Sequence, residues 1–307
     1  MPRRKIRTPL LIMISLILLF FWNSSKEKTN ENHRVNIIDP DSPALDRDFP
    51  CVKTKPLLNL PQTTLCVYAS ADTISDRIKI SYVWEEHELI FLLKILKSQP
   101  EMIMIDIGAN LGGYSMYTAG SLKRLTIAID CYLPNIERIA KAVRLEKLQN
   151  QTILIHNALY SKSGEELKIP NHEPSGIRLN PDTNETIQSN NFFLAKTIEF
   201  DDLLPILRKH QVKMALIKID IETSEIYMCQ TGEKIFNEID IPFIMMEWSG
   251  WRIKDPKRYE FIVNFFLKRN YFAINDKFEQ LNITRWLKDW PGNIYWIKAN
   301  WMFLKDV

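Results

Sequence analysis

Met104-Ile-Asp-Ile-Gly-Ala-Asn-Leu-Gly-Gly-Tyr-Ser115 is the stretch on which the fold turns. Met102 to Ile107 is almost continuously apolar and predicts a buried strand. An acid, Asp106, stands near its end. Gly108 and Gly112 follow, before a helix predicted over Leu111 to Ala119. The chain has only nine glycines in 307 residues, and three of them fall between 108 and 113. Glycine lets a backbone turn tightly and approach a ligand. Outward from this point strands and helices alternate. Strands are predicted over Leu125–Ile129, Thr152–Ala158, Ala215–Ile219, Phe243–Glu247, Tyr271–Ile274 and Asn293–Ile297. Helices are predicted over Glu85–Lys97, Pro134–Leu148, Asp201–Lys209, Glu225–Asn237, and from the Asp255-Pro256 start to about Lys268. Val67 to Val83 reads as short β-like stretches with polar turns, and 159–199 as hairpins and loops. Apolar strands alternating with helices imply an α/β fold, a doubly wound, mostly parallel sheet covered on both faces.

Such folds bind ligands in the crevice beyond the carboxyl ends of the strands. The spacing here is D-x-G-x-N-x-G. It lacks the second glycine that admits a pyrophosphate in G-x-G-x-x-G. Asp130 ends the next strand, where a carboxylate can accept both hydroxyls of a ribose. Asp106 suits a ligand carrying an amino group and no phosphate. These features describe S-adenosylmethionine better than NAD; the alternative is a glycine-rich turn with no ligand. Gly108→Val is expected to block the ligand and spare the fold. Asp220 and Glu222 follow the strand expected beside the loop strand. With Glu247 they are candidate catalytic bases for methyl transfer to a hydroxyl. The alternative for each is a helix cap or an ion pair. His156 reads as a core residue and His172 lies in a loop. Trp248 and Trp251 are either core or a platform for a sugar ring. No Cys/His spacing for zinc occurs, and no metal site is read.

From Cys66 to Ile297 the sequence resembles the FkbM-type methyltransferase family. The landmarks are Trp84-Glu85, IDIGANLGGYS, AIDCYLPN at 128–135, Asn157-Ala-Leu159, Phe200-Asp-Asp-Leu-Leu204 and Leu216-Ile-Lys-Ile-Asp-Ile-Glu222. Met246-Glu-Trp248 and Trp290-Pro-Gly-Asn-Ile-Tyr-Trp296 resemble its animal branch, often membrane-anchored. The resemblance implies the class I (Rossmann-like) methyltransferase sheet, S-adenosylmethionine as cofactor and transfer to an oxygen. It adds Glu85, Asn110, Ser115, Asn157 and Ala158 to Asp106, Gly108, Gly112 and Asp130 as the donor-binding set. The family places Gly after the acid at 222, where this chain has Thr223.

The N-terminus carries the compartment signal. Pro9 to Trp22 is apolar but for Ser15 and carries no charge, short beside the roughly 20 residues of a typical span. Ile6 to Thr8 extends it, with Arg7 snorkelling. Arg3, Arg4, Lys5 and Arg7 precede it, which sets the N-terminus in the cytosol. This reads as an uncleaved signal anchor over 1–22; the alternative is a cleaved signal peptide. A flexible stem over 23–50 and a lumenal domain over 51–307 follow. Without those four residues, 36 Lys+Arg stand against 37 Asp+Glu, a near-neutral body that argues against nucleic acid as a partner. Asn23, Asn150, Asn184 and Asn282 head N-glycosylation triplets. Cys51 and Cys66 are candidates for a disulfide in an oxidising lumen, and Cys131 and Cys229 for buried thiols. The expected protein is thus a single-pass type II enzyme of the Golgi or endoplasmic reticulum membrane, acting on a glycan hydroxyl. Two alternatives are kept. One is a non-catalytic lumenal binding protein, favoured by Thr223. The other is a glycosyltransferase, whose D-x-D would have to be Asp39-Pro-Asp41 or Asp46-Arg-Asp48.

Overall fold

A computed structural model of the chain describes residues 34–45, 47–69, 72–170, 192–248 and 250–301. The expected anchor over 1–22, His172 and the triplets at Asn23 and Asn184 lie outside the described residues. Among those described, no helix is long and apolar enough to cross a membrane.

The core is an eight-stranded sheet. Its seven principal strands are β1 (Ile103–Ile107), β2 (Thr126–Asp130), β3 (Thr152–His156), β4 (Met214–Ile219), β5 (Asp240–Glu247), β6 (Tyr271–Ile274) and β7 (Asn293–Lys298). Their order is β3-β2-β1-β4-β5-β7-β6, with Ile37–Ile38 at the β3 edge. β1 to β5 are mutually parallel. β7 runs antiparallel to both β5 and β6. This is the doubly wound, mostly parallel sheet that the apolar strands predict. Side chains of β1 serve both faces in alternation, as a pleated strand requires. Ile103, Ile105 and Ile107 join a core with Trp248 and Phe266 on one side. Met104 meets Leu92 and Phe243 on the other, under the helix Glu86–Ser98. The strand order reverses between β1 and β4, so the crevice of the fold opens above these two strands.

Several elements differ from the sequence expectation. Thr73–Ser81 is a helix rather than β-like stretches, and Asp72 caps it by accepting the Ser75 N–H at 2.7 Å. Its β-branched residues gave a strand-like signal, and Ile80 points to solvent with 77% of its surface exposed. The helix after the glycine loop is short, Gly113–Met116, and passes into a π-turn at Tyr117–Ser121. The helix expected over 225–237 breaks at Gly232 into Ile226–Thr231 and Glu233–Glu238. A Cβ at Gly232 would lie 2.6 Å from the Phe200 ring, so only glycine lets the chain pass there.

The described part of the expected stem is not free. Ile37–Ile38 pairs antiparallel with Leu154 and Ile155 of β3, and the Asn36 N–H donates to Asn157 Oδ1 at 2.7 Å. An open sheet edge binds any short apolar segment that reaches it, and two isoleucines inside a polar stretch were enough. Cys51 and Cys66 face each other in a small antiparallel pair and form a disulfide. Cys229 is a buried thiol; Cys131 is only partly buried, at the edge of the crevice. Glu166–Pro170 and Phe192–Ile198 form an antiparallel pair within the region expected to be hairpins and loops.

Candidate functional site

A cleft of about 590 Å³ opens at the carboxyl ends of β1, β2, β4 and β5. The glycine loop forms its floor. Gly108 has φ +78°, and a Cβ there would lie 1.8 Å from the Asp220 carbonyl oxygen. The loop after β1 and the loop after β4 therefore touch backbone to backbone, which only glycine permits. A valine at 108 would displace the Asp220 backbone, so it would not spare the fold as the sequence suggested. Gly112 lies behind the wall, where a Cβ would meet the Ile139 side chain at 3.1 Å.

Asp130 ends β2 and is on the wall. One of its oxygens accepts the Asn110 N–H at 2.7 Å and the other the Tyr132 N–H at 2.8 Å. The second oxygen also accepts the Asn135 side-chain amide at 3.4 Å, so the lone pair left for a ligand hydroxyl is on the oxygen that accepts from Asn110. Burial pushes its pKa up to about 6. Asn110 sits beside it with φ 50°, and its buried Oδ1 has no hydrogen-bond partner among the described residues. Ala158 and Asn157 line the same end. The Asn157 amide is committed elsewhere: it accepts from Asn36 N–H and donates to the Lys196 carbonyl at 2.9 Å.

Asp106 is not on the wall, contrary to expectation. It is fully buried, accepts the Ser115 hydroxyl at 2.6 Å and lies 3.8 Å from Lys218 Nζ. Ser115 is buried with it. The cause is register: Asp106 sits beside Lys218 within the sheet, one residue short of the strand end. Glu85 reaches the wall instead. Tyr114 donates to its carboxylate at 2.8 Å, and burial raises its pKa.

Two participants went unnamed in the sequence. Lys218 is 4% exposed and donates to the Gly108 carbonyl at 3.0 Å, with Asp220 at 3.4 Å. Burial works against its charge, but Asp220, Asp106 and Glu85 outweigh that and leave its pKa raised. A lysine inside an otherwise apolar strand was the available signal. Glu225, 1% exposed, accepts the Ile221 N–H at 3.1 Å. Burial, with Asp220 and Glu222 adding to it, pushes its pKa up to about 7.

Asp220, Glu222 and Glu247 do converge. They offer oxygens that all lie within 4.8 Å of one another. Burial first, then the charges of Asp220, Glu225 and Glu222, push Glu247 up to about 8. Glu222 and Thr223 both take left-handed backbone, φ 52° and 82°, and Arg258 donates to the Thr223 carbonyl at 2.8 Å. Trp248 is wholly buried against Tyr259 and Trp290, and its indole N–H donates to the Trp286 carbonyl. It is core, with no face left for a sugar. His156 is buried, 3.1 Å from the Cys131 carbonyl, and is core too.

Among the described residues the lining side chains carry five carboxyl groups, Glu85, Asp130, Asp220, Glu222 and Glu247, against the one ammonium of Lys218. Such a field attracts cationic groups and repels phosphates.

No family model matches the chain, and no curated protein matches it. Solved structures do show similarity. One, from Staphylococcus aureus and assigned as a caffeoyl-CoA O-methyltransferase, has a TM-score of 0.43 and 10% identity, covering 75% of this chain and 93% of that one. Another, TYW2 of M. jannaschii in complex with AdoMet, has a TM-score of 0.37 and 13% identity, covering 82% of this chain and 85% of that one. Similarity this distant says nothing about the chemistry of the cleft.

Proposed function

We propose that the protein is an S-adenosylmethionine-dependent O-methyltransferase of the FkbM type, acting on a glycan hydroxyl in the secretory pathway. The observation that carries the proposal is the meeting, in one acidic cleft, of the Gly108–Asn110 loop with Asp130 at the end of the neighbouring strand. The residues present fit this donor. Its ammonium and sulfonium are cations, and the wall is anionic. The spare lone pair on Asp130 Oδ2 suits a ribose hydroxyl, and the unpartnered Asn110 Oδ1 is an acceptor without a donor. Glu85, rather than Asp106, is the carboxylate available to the amino group. A nicotinamide or sugar nucleotide would bring phosphates against five carboxylates. Of the two D-x-D candidates, Asp39 and Asp41 are exposed beside the edge strand Ile37–Ile38 and away from the cleft, and Asp46 lies outside the described residues.

When bound, the donor supplies an electrophilic methyl group. The chain's own residues would align the acceptor hydroxyl and take its proton. Glu247, with its pKa raised to about 8, is a stronger base than an ordinary carboxylate. Asp220 is held beside Lys218 at the end of β4, fixed enough to orient a hydroxyl. Thr223 does not line the cleft. Its Cβ therefore strains the turn without filling the site, which weakens the case for a non-catalytic binding protein.

Calorimetry with S-adenosylhomocysteine tests the donor. The parent should bind, and Asp130→Ala should lose about 1.5–3 kcal/mol, the usual worth of a hydrogen bond to a charged group. A parent that binds a sugar nucleotide, or neither ligand, would refute the proposal. The compartment is tested separately with a C-terminal tag, expected in the lumen, and glycan on at least one of Asn150, Asn184 and Asn282. Asn150 and Asn282 are both exposed.

A further inference from the structure

We infer that Tyr68 and Asn135 are positioning residues for the donor ribose, fixing the Asp130 carboxylate through a hydrogen-bonded relay. The inference rests on the methyl-donor proposal above. Asn135 lies in the first turn of the helix Leu133–Glu146, which follows β2. It is 1% exposed, on the cleft wall. Its amide donates to Asp130 Oδ1 at 3.4 Å, and its carbonyl oxygen accepts the Tyr68 hydroxyl at 2.8 Å. An ionised carboxylate only accepts, so it takes the –NH2 end of the amide. The other end is an acceptor, and Tyr68 supplies the donor it needs. Without that hydroxyl the buried carbonyl end loses its partner and the amide its anchor. The Tyr132 N–H holds the same Asp130 oxygen at 2.8 Å. The two donors together set the plane of the carboxylate, and with it the direction in which Oδ2 offers its free lone pair.

Tyr68 is itself held on three sides. Its backbone N–H donates to Ser75 Oγ at 2.9 Å, inside the helix that Asp72 caps. The Arg138 guanidinium lies 3.4 Å from the centre of its ring and 4.1 Å from that of Phe49, stacked between the two. Asn135 and Arg138 are three residues apart on one helix and therefore share a face. One takes the Tyr68 hydroxyl and the other its ring. Arg138 donates to the Pro134 carbonyl at 2.8 Å, but its buried Nε has no hydrogen-bond partner among the described residues. A buried guanidinium left partly unsatisfied is costly, and stacking on two rings offsets part of that cost. What the arrangement secures is a single orientation of Tyr68. Burial raises the Tyr68 pKa, so the hydroxyl keeps its proton and remains a donor. Tyr68 does not line the cleft. It acts through Asn135 and Asp130, as a supporting shell does for a binding group.

The test is calorimetry on the full chain with two ligands, S-adenosylhomocysteine and an analogue of it lacking both ribose hydroxyls. Tyr68→Phe keeps the ring on Arg138 and removes only the hydroxyl. It should weaken S-adenosylhomocysteine by about three- to tenfold, the worth of one hydrogen bond, and leave the analogue within about twofold. Asn135→Ala should weaken S-adenosylhomocysteine at least as much, and keeps the test decisive if Tyr68→Phe fails to fold. Added to Asp130→Ala, Tyr68→Phe should change nothing further, because the relay then ends on no carboxylate. Tyr82→Phe, at a half-exposed tyrosine, should leave both affinities unchanged. Equal loss for both ligands would make Tyr68 a structural residue only and overturn the inference. So would unchanged S-adenosylhomocysteine affinity in a folded Tyr68→Phe or Asn135→Ala protein, or additivity with Asp130→Ala. These results leave the donor proposal standing. A parent that binds no S-adenosylhomocysteine defeats the donor proposal, and the relay to its ribose falls with it.

Discussion

Thr223 and Gly108 occupy the same backbone region for opposite reasons. Gly108 has φ +78° because no Cβ fits against the Asp220 carbonyl. Thr223 has φ 82° although it is β-branched, a conformation that costs such a residue on the order of 1–2 kcal/mol or more. Glycine would relieve that strain but lose more freedom on folding, by roughly 0.5–1 kcal/mol. Thr223→Gly should therefore stabilise the protein by about 1 kcal/mol, seen as a higher midpoint in urea. A lower midpoint would mean that the threonine side chain contributes packing that outweighs its strain. At Asp220 the test is kinetic. Asp220→Asn keeps the shape while removing a proton acceptor and a negative charge. If Asp220 orients and deprotonates the acceptor, turnover falls by about 10²–10⁴ while donor affinity changes only a few-fold. Normal turnover in a stable variant would assign the base to Glu247.

At the scale of elements, strands were legible and the helix Thr73–Ser81 was not. β1 and β4 announce themselves as unbroken apolar runs, because a parallel strand is buried on both faces. The missed helix presents only Ile74 and Ile78 to the core side, too few for a periodic signal, and relies on its cap. It also forms part of the cleft wall through Thr73, Ile74 and Ile78. Asp72→Ala removes the cap and should cost about 1 kcal/mol of stability. Donor affinity should fall with it, because fraying would loosen that wall. An unchanged melting temperature would show that packing alone holds the helix. The pairing of Ile37–Ile38 within the expected stem was not legible for a related reason. Polar composition describes solvation, whereas the partners of Ile37–Ile38 are set by the open edge of β3, which no local stretch of sequence displays.

For the whole molecule, the sequence located the crevice but not its depth. Strand ends in a parallel sheet gather at one edge, so Asp130, Asp220 and Glu247 could be grouped from the strand pattern. Whether an acid one residue inside an end faces the cleft depends on register and on the loop above it, which is why the strand pattern does not show that Asp106 is buried beside Lys218. The charge gathered there has a global consequence. Burial raises Asp130 to about 6, Glu225 to about 7 and Glu247 to about 8, while their unfolded counterparts titrate in the ordinary carboxyl range. Between roughly pH 4 and 8 the native state therefore binds more protons than the unfolded chain, and its stability falls as pH rises. Below that window both states are protonated and these groups contribute no slope. Glu238, lowered by its hydrogen bond to Arg208, Glu146, lowered by Lys53 and Thr64, and His156, lowered by burial, act in the opposite sense, the Glu238 effect being screened by solvent. If the three raised carboxyls dominate, the melting temperature should thus be higher near pH 5 than near pH 8. Glu247→Gln removes the group with the highest pKa of the three carboxyls. It should flatten the upper part of the profile and exceed the parent near pH 8 by on the order of 1–3 kcal/mol. The two proteins should converge near pH 5, where Glu247 is protonated in the native state. A Glu247→Gln variant that tracks the parent at pH 8 as closely as at pH 5 would show that Glu247 ionises in the fold at no cost, and that the cleft lacks the raised carboxyl on which its assignment as the base rests.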